Sequence, residues 1–327
     1  MNRRALARQA AKNAVPECSI ALTREAHPEH NVICKKAMAI DNISRKLDEQ
    51  LQSNDYYGAL QMYKTLFMRT LKSEESVKQP TQSIELASKA SKTLLKHKQA
   101  SAAAEMANLM LTVFTDYHYK VDEYTKNLIS SINDAFVAEG DFSKELASFL
   151  QNAVKWSAAE GTRKHGHPQI QLFLARAYFR GGDHKQAAKH YLHAEKPEEF
   201  ADFLLHWSNE GYPSEVDLYI ARGVLQLLCL ENLKDANKLF ETFHVKAKLE
   251  NVTLETPLCH FIRFLLVTLE RDALPLYQLL QDRYAAALAR DKSFEKYLER
   301  IGVNYYGVQP QQSGLNSILE MFSRGVQ

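Results

Sequence analysis

One local pattern recurs at a near-constant step along this chain, and it constrains the fold more than any other feature. A polar residue that can accept hydrogen bonds from a helix start is followed four, eight and eleven residues later by a small residue, a large apolar or small residue, and another apolar or small one. The series reads Asp55, Ala59, Tyr63, Leu66; Gln99, Ala103, Ala107, Met110; Asp183, Ala187, Tyr191, Ala194; and Asn232, Ala236, Phe240, Phe243. A weaker copy starts at Asp141, keeping Phe149 but carrying Glu145 in place of the small residue. Spacings of three and four put such residues on one helix face. Small residues on that face let a second helix approach closely. The starts at 55, 99, 141, 183 and 232 step by 44, 42, 42 and 49 residues, a period that suits stacked helix pairs. The expected fold class is therefore all-α, a tetratricopeptide-like α-solenoid of stacked helix pairs.

A solenoid grows by layers, so 327 residues need not divide into two globular domains. The hydrophobic fraction of 45% and charged fraction of 24% are those of an ordinary folded chain. A net charge of +2 gives no global attraction to nucleic acid or anionic lipid. The most apolar stretch, Phe261 to Leu269, is short and contains Arg263. It predicts a buried helix, with no direct membrane insertion. Cys18, Cys34, Cys229 and Cys259 lie far apart with no CxxC, which predicts a reducing compartment, cytosol or nucleus.

Residues 1–36 read as a basic tail: Arg3, Arg4, Arg8 and Lys12 precede the first acid, Glu17, and Pro16 and Pro28 interrupt any long helix. A targeting helix is the other reading of that stretch. The expected organisation is this tail, N-terminal repeats over 37–140, C-terminal repeats over 141–306 and a tail over 307–327, in which Leu315 to Phe322 is a short amphipathic piece. One interruption is expected. Lys246-Ala247-Lys248-Leu249 and Val252-Thr253-Leu254-Glu255 alternate in polarity about Glu250-Asn251, so a small β-hairpin is expected over 245–256, a loop being the alternative. A helix from 273 to 289 and another from 293 to 305 follow.

Reactive patterns are missing. The chain has no GxxxxGK[ST], HExxH or GxSxG sequence. His184, His190 and His193 lack a cysteine or a well-spaced third ligand and read as a solvated helix face, and His165 and His167 read no differently. Lys64, Lys98 and Lys189 do not form a carboxylate-clamp set. The chain is expected to be non-enzymatic and to need no cofactor. Binding of other proteins is the usual work of such arrays. Two stretches stand out for it: Tyr56, Tyr57, Lys64, Arg69 and Lys72 near the start, and the expected hairpin with Tyr305 and Tyr306 near the end.

Longer matches carry a resemblance. Asp55-Tyr56-Tyr57-Gly58-Ala59-Leu60-Gln61-Met62-Tyr63-Lys64-Thr65-Leu66-Phe67 resembles the DYYEAHQMYRTLF stretch of the Golgi-to-ER traffic protein four family, with Gly58 in place of the family's acid. Val154-Lys155-Trp156-Ser157 with His167-Pro168 is similar to its KWS…HP segment. Val216-Asp217 through Leu230 is similar to VDMF…AVLQFLCL, and Tyr297 to Gly302 with Tyr306-Gly307-Val308 and Pro310 to YLDRIG…FFGVPP. The matches keep their order over about residues 43–322. The resemblance implies a cytosolic adaptor in delivery of tail-anchored membrane proteins to the ER. It implies an N-terminal half that docks a targeting ATPase, through Tyr56, Tyr57, Lys64, Arg69 and Lys72. It implies a C-terminal half that grips a ubiquitin-like-domain protein, and in animals a BAG-type scaffold chaperone, through Val245, Ala247, Leu249, Val252, Leu254, Tyr305 and Tyr306. The competing reading is a general helical-repeat scaffold subunit or a chaperone co-factor.

Overall fold

The computed structural model describes residues 46–308, apart from 48, 75–79 and 141–143. The expectations for the basic tail, the start at Asp141 and the amphipathic piece at 315–322 lie outside the described residues. Backbone contacts divide the chain into two compact units, Met1–Met62 and Tyr63–Gln327.

In the first unit, residues 46–47 and 49–52 are helical, and a turn at Ser53 and Asn54 leads into the first long helix, α1 (Tyr56–Ser73), which continues past the unit boundary. The Asp55 carboxylate accepts from the Gly58 N–H at 2.9 Å, as an N-cap does.

The second unit holds α2 (Thr81–Lys96), α3 (Ala100–Asp116), α4 (Glu123–Ala138), α5 (Lys144–Ala159), α6 (Pro168–Arg180), α7 (His184–Tyr191), α8 (Pro197–Asn209), α9 (Val216–Cys229), α10 (Leu233–Leu249), α11 (Pro257–Glu270), α12 (Leu274–Arg283), α13 (Ala285–Leu288) and α14 (Ser293–Tyr306). Most helices pack on neighbours one or two places along: α2 on α3 and α4, α3 on α5, α5 and α4 on α6, α8 on α9 and α10, α9 on α11; α9 also packs on α14, five places on. This is the nearest-neighbour layering of an α-solenoid.

The recurring sequence pattern is the turn between paired helices. Residues 54, 98, 140, 182, 231 and 272 all have positive φ, between 50° and 79°. At the four complete second-unit turns the positive-φ residue and its successor donate to the last helical carbonyls. Lys98 N–H donates to Leu95 O and Gln99 N–H to Leu94 O; Gly182 to Phe179 and Asp183 to Tyr178; Glu231 to Leu228 and Asn232 to Leu227; Asp272 to Leu269 and Ala273 to Thr268. One residue thus closes the first helix and its successor stands at the N-cap position of the next. The Asp183 and Asn232 side chains accept from the N–H groups of Gln186 and Asp235. The small residues behind the caps, Ala103, Ala187 and Ala236, are fully buried, as are Ala107, Met110 and Phe243. A sixth turn at Asp272–Ala273, 41 residues after Glu231, escapes the sequence pattern, because Ala273 has no side chain that can cap.

The expected β-hairpin is not there. Among the described residues there is no strand, and residues 245–249 are the last turns of α10. The 3.6-residue face Ala236, Phe240, Phe243 runs on into Ala247, which is fully buried, and Lys, Ala and Leu favour helix. The two-residue alternation around Ala247 is therefore a buried helical position between a half-buried Lys246 and an exposed Lys248. Asn251 has φ 59° and forms the same helix-closing turn, with its N–H on Lys248 O and that of Val252 on Ala247 O at 2.8 Å. A left-handed Asn suits a hairpin turn and a helix C-terminus equally well, so Glu250-Asn251 signalled a reversal without specifying which. Residues 252–255 then lead to Thr256, whose hydroxyl caps α11 by accepting from Cys259 N–H at 3.2 Å. The helix expected over 273–289 is likewise two pieces, α12 and α13, parted at Tyr284.

Candidate docking sites

The late candidate lies between α10 and α11. A groove of about 560 Å³ is lined by Phe240, His244 and Val245 on one side and Arg263, Leu266 and Val267 on the other. Glu241 and Glu270 complete its polar rim. Around it the surface is unusually apolar: Leu249 is 78% exposed, Val245 62% and Phe264 51%. Helix α11 is apolar on nearly every face, which is expected of a helix covered on all sides, yet Phe264 and Val267 face outward. Exposed large apolar side chains clustered within a charged rim are characteristic of protein-docking surfaces.

One polar contact organises the rim. Arg263 Nη2 stands 3.2 Å from His244 Nε2. The guanidinium can only donate, so Nε2 accepts and the imidazole proton resides on Nδ1. That Nδ1 is buried without a protein partner among the described residues. Burial, and then the Arg263 charge, push the His244 pKa down, so the ring stays neutral.

The early candidate is a groove of about 650 Å³ lined by Lys64, Met68, Arg69, Leu71, Lys72 and Tyr117, with Thr65 at its edge. Met68 is 59% exposed and Arg69 and Lys72 are exposed. Lys64 is held by an ion pair with Glu105 on α3. No lining residue is acidic, so this groove is apolar with a basic border, unlike the late one, whose rim carries both signs.

These grooves absorb some of the residues singled out from sequence. Lys64, Arg69 and Lys72 line the early groove. Tyr57 is 75% exposed in the first unit, whereas Tyr56 is half-buried with its hydroxyl 2.6 Å from Asn54 Oδ1. Val245 lines the late groove and Leu249 is exposed on the same helix, while Ala247 and Leu254 are buried in the core and Val252 packs against it. Tyr305 and Tyr306 pack on that core too. Tyr306 donates to Thr268 O at 3.2 Å and lies against the Tyr277 ring, and burial pushes the Tyr305 phenol up to about 12. Sequence reading missed Met68, Tyr117, Phe240, His244, Arg263, Leu266 and Val267. Only the all-round apolar character of α11 hinted at any of them.

The histidines turn inward. His190 Nδ1 is 2.7 Å from Gln171 Oε1, with the ring stacked on Tyr178, and His193 stacks on His165 at 4.3 Å. Burial pushes both His190 and His193 down to about 4. His184 points elsewhere, to Glu210 at 3.1 Å. Among the described residues no three His, Cys, Asp or Glu side chains gather into a metal-binding group, and no helix is long and apolar enough to cross a membrane.

Comparison with known proteins fits this architecture. The chain is similar to the Golgi to ER traffic protein 4 homologues of Xenopus tropicalis, 33% identical over 84% of this chain and 83% of that one, and of Homo sapiens, 32% identical over 84% and 82%. The homologue of Dictyostelium discoideum is 31% identical over 88% of this chain and 91% of its own. The crystal structure of C. therm. Get4 superimposes with a TM-score of 0.75 at 22% identity, covering 88% of this chain and 96% of that one, and so shares the fold. The sequence profile of the Golgi to ER traffic protein 4 family matches residues 77–324, and the chain belongs to that family.

Proposed function

We propose that this protein is a non-enzymatic cytosolic adaptor in post-translational delivery of tail-anchored membrane proteins to the ER. In this reading it links a targeting ATPase to a ubiquitin-like-domain protein, and in an animal cell also to a BAG-type scaffold chaperone. The observation that carries the proposal is the pair of grooves. They share no residue, belong to helices far apart in the array, and differ in chemistry. The basic-bordered early groove, with Tyr57 exposed nearby in sequence, suits the ATPase. The apolar late surface around Val245, Leu249, Phe264 and Val267 suits the ubiquitin-like protein. Holding both partners on one repeat array raises the effective concentration of each at the other, and that needs no catalytic group.

The test is a pair of double variants, each assayed against both partners by calorimetry. Val245→Asp/Leu249→Asp changes only exposed side chains and is expected to weaken the ubiquitin-like protein at least tenfold while leaving the ATPase unaffected. Arg69→Glu/Lys72→Glu is expected to do the reverse. If either double variant disturbs both partners equally, or neither, the assignment is wrong.

A further inference from the structure

The last layer of a repeat array has no following layer to cover it, and such ends need a cap. Here that layer contains α12 and α14. Between them lies a third groove, of about 470 Å³, whose floor is Leu274, Tyr277, Leu298 and Gly302. Tyr277 and Leu298 are themselves buried and joined by a hydrogen bond from the tyrosine hydroxyl to Leu298 O. At Gly302 a side chain is absent, and the Tyr277 ring stands 3.5 Å from where a Cβ would be. Three carboxylates, Asp282, Glu295 and Glu299, line the groove and no cation does.

The chain itself is led into this groove. Gly307 has φ 64° and ends α14 by donating to Val303 O at 3.0 Å, and Val308 donates back to Gly302 O at 3.2 Å. Only a residue that tolerates the left-handed region makes this reversal without strain. It places Val308 on the groove wall, where its Cβ is 3.9 Å from the site of the missing Gly302 Cβ. The described chain therefore ends already turned back over the groove.

Residues 309–327 lie beyond the described residues, and their sequence fits what the groove lacks. After Gln309-Pro310-Gln311-Gln312-Ser313-Gly314 come Leu315, Ile318, Leu319 and Phe322. Their spacing of three, one and three puts four apolar side chains on one helical face. Arg324 is the only cation after Arg300, and the groove presents three carboxylates. A six-residue connection spans up to ~20 Å, about the ~21 Å length of the fourteen-residue α14, so the segment can return along the whole layer. The family match runs through residue 324, which makes this segment part of the family's common length.

We propose that residues 315–324 of the same chain dock as an amphipathic helix in the α12–α14 groove and cap the array. Leu315, Ile318, Leu319 and Phe322 cover Tyr277, Leu298 and the gap at Gly302, and Arg324 meets the acidic border. The proposal does not depend on the adaptor reading or on either docking groove.

Amide hydrogen exchange on the full chain tests it, comparing wild type with Ile318→Asp/Leu319→Asp. The substitutions leave every described residue unchanged, so the described helices are expected to fold in the variant. In the wild type, amides of 315–322 are expected to exchange slowly. The variant is expected to lose that protection and to exchange at least tenfold faster at 277–282 and 298–302, with α2–α8 unchanged. A second arm reverses charge: Arg324→Glu should speed exchange in 315–322 and at the groove, and Glu295→Lys/Glu299→Lys in the same chain should restore slow exchange. Three results would overturn the proposal: unprotected amides at 315–322 in the wild type, protection that transfers to α10 and α11, or protection that rises with protein concentration, which would make a second copy the source of the segment.

Discussion

The early layers of the second unit, α2 to α5, and the late ones, α9 to α14, are built from the same turn but held by different forces. Between the early helices the contacts are mainly apolar, small and large together: Ala87, Ala103 and Ala107 are fully buried, and so are Phe114, Phe136 and Phe149. Their cross-layer polar contacts are few, such as Asn152 to Asn108 at 2.9 Å and Lys92 to Ser131 at 3.1 Å. The late helices are bolted across about seventy residues of sequence by directional bonds. Arg290 pairs with Asp217 at 2.6 Å and also donates to Ser214 O. Arg222 pairs with Asp291, Gln226 donates to Tyr297 Oη at 2.9 Å, and Asn304 donates to Cys229 O at 3.0 Å. Burial alone would raise the Asp291 pKa, but hydrogen bonds from Arg222 and Ser293 outweigh it and hold the carboxyl below its usual range. Apolar burial is non-directional, so it holds the early layers together without singling out particular polar partners. Crossed Arg–Asp pairs instead fix one late arrangement, that of α9 against the segment before α14.

The largest effect that would sharpen this contrast is at Asp217, which is 2% exposed. Asp217→Ala strands the Arg290 guanidinium, and because Arg290 remains about a third exposed the expected loss is about 2–3 kcal/mol, below that for a fully buried pair. Asn152→Ala in the early layers should cost about 1 kcal/mol. Chemical denaturation of both variants measures the gap, and equal losses would dissolve the distinction between the two regions.

A second effect comes from the histidines between those regions. His190 and His193 titrate near 4 in the folded chain, against 6.5 when exposed. The unfolded chain therefore takes up protons first, and the stability these rings contribute is complete above about pH 6.5 and is lost as pH falls towards 4. A melting-temperature profile should drop across that window, and His193→Phe should flatten it. A profile unchanged by the substitution would show that the ring is not held neutral.

The smallest expected effect has the opposite sign. Lys98 and Glu231 are exposed residues held at φ 58° and 59°. Lys98→Gly removes left-handed strain, offset by the greater freedom of glycine in the unfolded chain, for a net gain of about 0.5–1 kcal/mol. Glu231→Gly in the late layers should match it, since the turn is the same. A difference between the two would locate a further distinction between early and late layers in the turns themselves.

What could be read from sequence follows the range of each interaction. The turns at 55, 183 and 232 were legible because capping is local: a polar cap and the buried face behind it lie within eleven residues; at 99 the buried face alone carried the signal, since Gln99 makes no side-chain cap. The turn at 272–273 was not legible, because a backbone-only cap leaves no side-chain signature. Alternation misled at 245–256, where the face through Ala247 was the stronger signal. Of the residues that line the two grooves, Lys64, Arg69, Lys72 and Val245 are the ones singled out from sequence, Val245 within a hairpin that is a helix here. The rest, Arg263 beside His244 or Tyr117 beside Lys72, depends on which helices become neighbours. The inward turn of Tyr305 and Tyr306 and the pairing of Asp217 with Arg290 likewise depend on contacts made across the layers.

The two surfaces proposed for docking are expected to work independently on one array. Sedimentation of the chain with both partners together, the targeting ATPase and the ubiquitin-like-domain protein, tests this most directly. The predicted result is a single ternary species, with the affinity for the ATPase unchanged when the ubiquitin-like protein is saturating. Displacement of one partner by the other would contradict it.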